Sequence, residues 1–161
     1  MAAKESPIDE IDRRILRTLQ GHARATFDNI ADAVGLSSSA VLRRVKRMEA
    51  AGIITGYRAV LDPSALGISL VAYVTLRLEK HGGAQRTSHK DQFKAAVQTW
   101  REVVDCVALT GDTDILMRVA VTDVEHLNRF ISETLLRHPS VRDCRSSFML
   151  ESIKDAAGWP A

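Results

Sequence analysis

The chain has 161 residues, of which 45% are hydrophobic and 26% charged, with a formal net charge of +2. That is enough apolar material for a buried core, which excludes general disorder, and no apolar run reaches the roughly 18–20 residues that a membrane helix needs. Met1 to Glu10 is polar and carries acids, so neither a signal peptide nor a transit peptide is expected, and the chain reads as a cytoplasmic protein without a membrane partner.

The charge is unevenly spread. Residues 1–60 hold ten Lys/Arg against seven Asp/Glu (+3), and residues 61–161 hold twelve against thirteen (−1). The basic excess is therefore N-terminal. Cys106 and Cys144 share no short spacing and no Cys/His cluster surrounds either, so they read as small buried apolar residues and not as metal ligands. A catalytic thiol needs a base nearby, and the sequence points to none.

In chain order, Ile8, Ile11, Ile15 and Leu19 recur at helical spacing after Ser6-Pro7, which suits a helix start. A second helix is expected from Thr26, a capping residue, to Val34, with Gly35 as its stop. Ser37 caps a third helix with Val41, Val45 and Met48 on one stripe, ending near Gly52. Ile53 to Leu61 reads as a strand, broken by Asp62-Pro63, and residues 63–69 read as a hinge. Beyond it, Leu70, Ala72, Val74, Leu76 and Leu78 alternate as a strand. A polar loop, Lys80–His89, carries His81, Gly82 and Gly83. A helix then runs to about Arg101, with Phe93, Val97 and Trp100 aligned. Strands are expected at Val103–Thr110 and Ile115–Val121, joined by a two-residue Gly111-Asp112 turn. A helix from about Asp123 to His138 follows, and a last strand covers Val141–Ile153. The order βαββαβ is the ferredoxin-like pattern. The fold class is α+β, divided into a helix-turn-helix domain (1–53), a hinge strand and linker (54–68) and a ferredoxin-like domain (69–161).

Three short helices with a glycine turn before the third make a helix-turn-helix pattern. The face of the third helix opposite its apolar stripe carries Ser38, Ser39, Arg43, Arg44, Lys46 and Arg47, and no acid falls between Ser37 and Met48. Arginine reads guanine edges bidentately, while serines, lysines and the first free N–H groups of the helix hold phosphate. A basic run alone also fits a solvated helix face; the tri-helical spacing with Ala31, Gly35, Val41 and Val45 favours double-stranded DNA as partner. The expected DNA-binding set is Ser37, Ser38, Ser39, Arg43, Arg44, Lys46 and Arg47.

At this point the sequence resembles the leucine-responsive regulator/AsnC (Lrp/AsnC, feast/famine) family. The resemblance rests on Ile11-Asp12-Arg13-Arg14-Ile15-Leu16, Val34-Gly35-Leu36-Ser37, Arg43-Val45-Arg47-Met48-Glu49 with Gly52-Ile53-Ile54, Gly56-Tyr57-Arg58-Ala59, Thr110-Gly111-Asp112-Thr113-Asp114 and Glu133-Thr134-Leu135, in the family's order. It implies a winged-helix-like or simple helix-turn-helix domain and an ACT-like ligand-sensing domain. It also implies dimers through the C-terminal sheets, assembled into tetramers or octamers, and amino-acid effectors bound near the Gly-Asp hairpin. The implied effector-binding set is Thr110, Gly111, Asp112, Asp114, Ser147 and Met149. Gly111 lets backbone approach a ligand and expose N–H groups to a carboxylate, and Asp112 and Asp114 suit an α-ammonium group. The same Gly111-Asp112 pair also fits a plain tight turn. Val71, Tyr73 and Thr75 make the second face of the first strand half apolar, which suits self-association or cover by the hinge strand. The 80–89 loop looks longer than the family's, and no aromatic opens the recognition helix.

The function implied is a DNA-binding transcription regulator, nucleoid-associated, whose oligomeric state or DNA affinity responds to a small effector, with no cofactor and no metal. An architectural DNA-organising protein without an effector is the alternative. An enzyme on this fold would need a convergent acid, base or nucleophile; His22, His81, His89, His126 and His138 pair with no Cys or Ser in a motif, and Asp112 and Asp114 alone are a thin metal site.

Overall fold

The computed structural model describes residues 8–79, 89–154 and 158–161. Contacts divide the chain into two compact units, Met1–Val60 with Lys154–Ala161, and Leu61–Ile153. By contacts, the last eight residues group with the N-terminal unit, where Gln20 Nε2 donates to the Trp159 carbonyl at 3.0 Å.

In the N-terminal unit, α1 spans Glu10–Gly21, α2 Phe27–Val34 and α3 Ser38–Ala50. The expected start at Ser6-Pro7 lies outside the described residues. The cap is Asp9, in a reciprocal box: its carboxylate accepts the Asp12 N–H at 2.8 Å, and the Asp12 carboxylate accepts the Asp9 N–H at 3.1 Å. Such a box satisfies two of the donors that a helix start leaves without partners. Thr26 and Ser37 cap α2 and α3 as expected, accepting from Asn29 and Ala40 N–H. Gly35, left-handed at φ 75°, closes α2 by donating to the Ala31 carbonyl. The turn therefore needs glycine, and the helices meet over Ile15, Ile30, Ala31, Val34, Val41, Val45 and Met48.

The strand expected over 53–61 does not form. Thr55 to Leu61 runs exposed without ladder pairing, and Val60 is 100% exposed. Its apolar residues have the composition of a strand, but no described segment forms a ladder with them.

The C-terminal unit holds β1 Leu70–Leu78, α4 His89–Val97, β2 Val103–Ala108, β3 Ile115–Val121, α5 Val124–Arg129 and β4 Val141–Phe148. The sheet order is β2-β3-β1-β4, antiparallel throughout, which is the expected ferredoxin-like arrangement. Ala72, Val74 and Leu76 of β1, with Ile115, Met117, Val119 and Val121 of β3, face a core completed by Phe93, Val97, Leu127, Phe130 and Leu135. Trp100 packs edge-on against Phe93 and Phe130, with centroids at 5.5 and 5.8 Å.

Several ends differ from expectation. α4 stops at Val97, short of Arg101. The expected Asp123–His138 helix is α-helical only to Arg129 and then π-helical over Phe130–Leu135, where Leu136 donates to the Ile131 carbonyl at 2.9 Å. Bonding at i to i+5 stacks residues five apart, and this brings both Phe130 and Leu135 into the core. β2 ends at Ala108, so the hairpin is longer than a two-residue turn: Leu109 N–H bonds the Asp114 carbonyl at 2.9 Å and Thr110 to Thr113 span the gap. β4 ends at Phe148, not Ile153, because its neighbour runs out: Phe148 pairs with Ala72 and Met149 N–H with the Val71 carbonyl, near the first residue of β1. The 80–89 loop lies outside the described residues, apart from the backbone at His89, where α4 begins.

Leu76 is buried on the inner strand β1, so Leu76→Ala is expected to cost about 2–5 kcal/mol, read as a lower urea midpoint with unchanged slope. In the N-terminal unit, the Asp12 N–H and then the Arg44 guanidinium hold the Asp9 carboxyl below the usual carboxylate range. A carboxyl depressed by folding contributes stability above its unfolded pKa and loses it as pH falls through the folded one. Asp9→Asn keeps the cap and removes the charge. Its melting temperature should lie below wild type at neutral pH, and the gap should close below about pH 4.

Candidate nucleic-acid interface and ligand site

α3 is held to the core by Val41, Val45 and Met48. A helix pinned on one side by residues four and three apart must present the complementary stripe. That stripe is Ser39, Arg43, Lys46 and Ala50, all exposed. Arg43 and Lys46 carry no ion pair among the described residues.

The other expected DNA contacts are divided among different tasks. Ser37 is spent on the cap of α3, with its Oγ also 3.1 Å from the Ser39 Oγ. Ser38 Oγ donates to the Asp28 carboxylate of α2. Arg44 and Arg47 turn to α1. Arg44 Nη1 lies 2.7 Å from Asp9 Oδ2 and 2.9 Å from Asp12 Oδ1, and Arg47 Nη2 reaches Asp12 Oδ2. The Asp12 side chain is 1% exposed, whereas those of Arg44 and Arg47 are 24% and 54% exposed. The Asp9 and then the Asp12 carboxylates push the Arg44 guanidinium further up its range. No acid falls between Ser37 and Met48 in the chain, but Asp9 and Asp12 approach this stretch from the start of α1. In the last turn of α3, Glu49 accepts from the Tyr57 hydroxyl at 2.9 Å, and burial followed by Glu49 raises that phenol.

In the C-terminal unit, the Gly111-Asp112 hairpin is tied to the end of β1. Asp114 N–H bonds the Leu76 carbonyl at 3.0 Å, the Leu78 N–H bonds Asp114 Oδ2 at 2.8 Å, and Arg77 Nε donates to the Asp112 carbonyl at 2.8 Å. Gly111 takes φ 109°, a backbone that other residues rarely adopt. A cleft of about 300 Å³ opens here, lined by Arg77, Leu78, Gly111, Asp112, Asp114 and Arg142. It therefore holds both charge signs and a reachable backbone, the minimum for a zwitterion.

Gly111, Asp112 and Asp114 are thus brought together. Thr110 lies on the same exposed loop. Ser147 and Met149 are not gathered with them within one chain: Ser147 pairs with Tyr73, and Met149 bonds Val71, roughly 20 Å along the strand from Arg142 at 3.3 Å per residue. Sequence reasoning missed Arg77 and Arg142. Arg77 had a signal, as the one charged residue in the strand Leu70–Leu78. The Asp9 and Asp12 pairing with α3 had none, being a contact across more than thirty residues.

Elsewhere, Cys106 and Cys144 are free and half buried, and burial, then the adjacent Asp105 or Asp143, raises each thiol, which leaves them weak nucleophiles. No helix of the described residues is long and apolar enough to cross a membrane.

Comparison with known proteins assigns a family to each half of the chain. Residues 8–55 match the winged helix-turn-helix DNA-binding family, and residues 71–159 match the Lrp/AsnC ligand binding domain. The chain is 38% identical over 149 residues to leucine-responsive regulatory proteins of Salmonella typhimurium and Escherichia coli, covering 92% of this chain and 88% of each relative. Among solved structures, a transcriptional regulator from Neisseria meningitidis in complex with L-Met superposes with a TM-score of 0.86 at 38% identity, covering 92% of this chain and 93% of that one. An AsnC family transcriptional regulator from Agrobacterium tumefaciens gives 0.86 at 31%, covering 95% and 97%. With a basic helix presented by a trihelical domain and a charged cleft in a βαββαβ domain, the chain belongs to the Lrp/AsnC family of DNA-binding transcription regulators, which are ligand-responsive proteins and not enzymes.

Proposed function

We propose that α3 is the recognition helix and that Ser39, Arg43 and Lys46 are the side chains that meet duplex DNA. The observation that carries this is the exposed stripe itself: its two cations have no ion pair among the described residues, on a helix whose opposite side is buried. Ser37 and Ser38 contribute from the start of α3, where free N–H groups suit a phosphate. The functional divisions are a DNA-binding domain over 1–53, a linker over 54–68 and an effector domain from 69, with the tail after 153 returning to the first unit.

The effector is an amino acid held by the Gly111–Asp114 turn. The mixed charge of the cleft supports this, as does the L-Met bound to the Neisseria relative. Asp112 takes the α-ammonium group, and the backbone N–H groups at Gly111, with Arg77 or Arg142, take the α-carboxylate. Ser147 and Met149 join the site only from another copy of the chain. Self-association uses the sheet face away from the helices, where Tyr73, Val107 and Leu109 stand exposed and Arg118 Nε is buried without a hydrogen bond among the described residues. An interface there covers the apolar residues and offers that nitrogen an acceptor. The setting is the cytoplasm, in association with the nucleoid. Effector binding changes DNA affinity only to the extent that it favours one assembly over another.

Arg43→Ala is expected to weaken specific binding by about 1–3 kcal/mol if it reads a base, or to reduce the salt slope by about 1 if it holds phosphate. Operator affinity equal to wild type in both respects removes α3 from the interface. For the effector, thermal melting against the twenty amino acids should show a rise with one side-chain class, since a ligand bound only by the native state stabilises by mass action. Asp112→Ala should abolish that rise and leave DNA binding intact. A panel that produces no rise favours an architectural, effector-free role.

A further inference from the structure

α3 carries four cations, Arg43, Arg44, Lys46 and Arg47, and the structure treats them in two ways. Arg43 and Lys46 face outward. Arg44 and Arg47 converge on Asp12, whose carboxylate is almost wholly removed from water. Both Asp12 oxygens are occupied: Oδ1 accepts from Arg44, and Oδ2 accepts from Arg47 and from the Asp9 N–H. Arg44 has a second acceptor in Asp9; Arg47 has only Asp12 among the described residues. The cluster holds two acids and two guanidinium groups, so its net charge is zero.

Withdrawing a guanidinium from a buried carboxylate leaves that charge unpaired in a poorly solvated place, and the loss is severe. A phosphate competing for Arg44 or Arg47 must offset it, whereas a phosphate approaching Arg43 or Lys46 displaces only water and mobile ions. Each phosphate neutralised on duplex DNA releases about 0.9 counterions. This electrostatic grip carries non-specific binding, so each added cation tightens attachment to every sequence alike.

We infer that Asp12 is a specificity-determining positioning residue, which keeps Arg47, and with Asp9 keeps Arg44, off the phosphate backbone so that α3 meets DNA with two of its four cations. The inference rests on α3 being the recognition helix. Asp12 lies on α1 and touches no DNA; it sets the discrimination of the adjacent helix by limiting its indiscriminate part.

The test is fluorescence anisotropy of the full-length protein with a labelled random-sequence duplex over a series of KCl concentrations. Asp12→Asn preserves shape and removes the charge. It should bind this duplex more tightly than wild type at low salt, and its plot of log K against log salt should steepen by about 0.9 for each engaged helix, as Arg47 is released. Adding Arg47→Gln to Asp12→Asn should restore the wild-type slope, a reversal that mere loosening of α1 does not produce. Arg47→Gln alone should leave the slope unchanged, and it decides the matter if melting curves show Asp12→Asn to be unfolded. A slope flattened by Arg47→Gln alone, or unaltered in a folded Asp12→Asn protein, overturns the inference. Arg43→Gln and Lys46→Gln test the underlying reading separately: if neither flattens the slope, α3 is not the interface and the inference falls with it.

Discussion

A carboxylate taken out of water must be met by donors, and this demand at Asp12 organises the N-terminal unit. One side chain closes the first turn of α1 through Asp9 and ties α1 to α3 through Arg44 and Arg47, so that these two cations turn inward while Arg43 and Lys46 point away from the protein. The apolar contacts of Val41, Val45 and Met48 hold α3 against its neighbours, but apolar packing is non-directional. The paired guanidinium groups add direction. Helix presentation and charge are therefore one arrangement seen from two sides.

The C-terminal unit rests on a different constraint, the two-residue alternation of a strand. Once Ala72, Val74 and Leu76 face the helices, Tyr73, Thr75 and Arg77 must face the other way. Register then carries consequences to the ends of the strands. Arg77 emerges beside the hairpin and grips the Asp112 carbonyl, while the last backbone groups of β1 are claimed by Asp114. The turn between β2 and β3 is thus attached to a third strand, and the cleft it lines is held open by groups that also define the sheet.

Much of this was legible in the residues, and the reason differs from element to element. Thr26, Gly35 and Ser37 announced helix boundaries because capping is decided within a few neighbours. The strand β3 was clear because Ile115, Met117, Val119 and Val121 alternate without interruption. The segment after Gly52 was misread because Ile53, Ile54 and Val60 suit a strand, yet strand formation depends on a neighbour that composition does not reveal. The end of β4 failed for the same reason, since it is set by where β1 begins. The π-helical turn after Arg129 and the length of the Gly111 hairpin reflect packing and ladder closure. At the candidate interface the basic character of α3 was visible, but its division into outward and inward cations was not. Arg43, Arg44, Lys46 and Arg47 look alike in the chain, and only the acids arriving from α1 distinguish them.

The placement of the two tryptophans has a practical side. Trp100 is half buried within an aromatic cluster, edge-on to Phe93, Phe130 and the ring of His138 at 5.5, 5.8 and 6.0 Å. Trp159 stands 87% exposed on the tail that returns to the N-terminal unit. The chain thus carries one fluorophore in each unit, in contrasting surroundings. Blue-shifted emission with little access to iodide belongs to the unit that holds the charged cleft, and red-shifted, readily quenched emission to the unit that carries α3. Unfolding of either unit thus has an optical signature of its own without any added label.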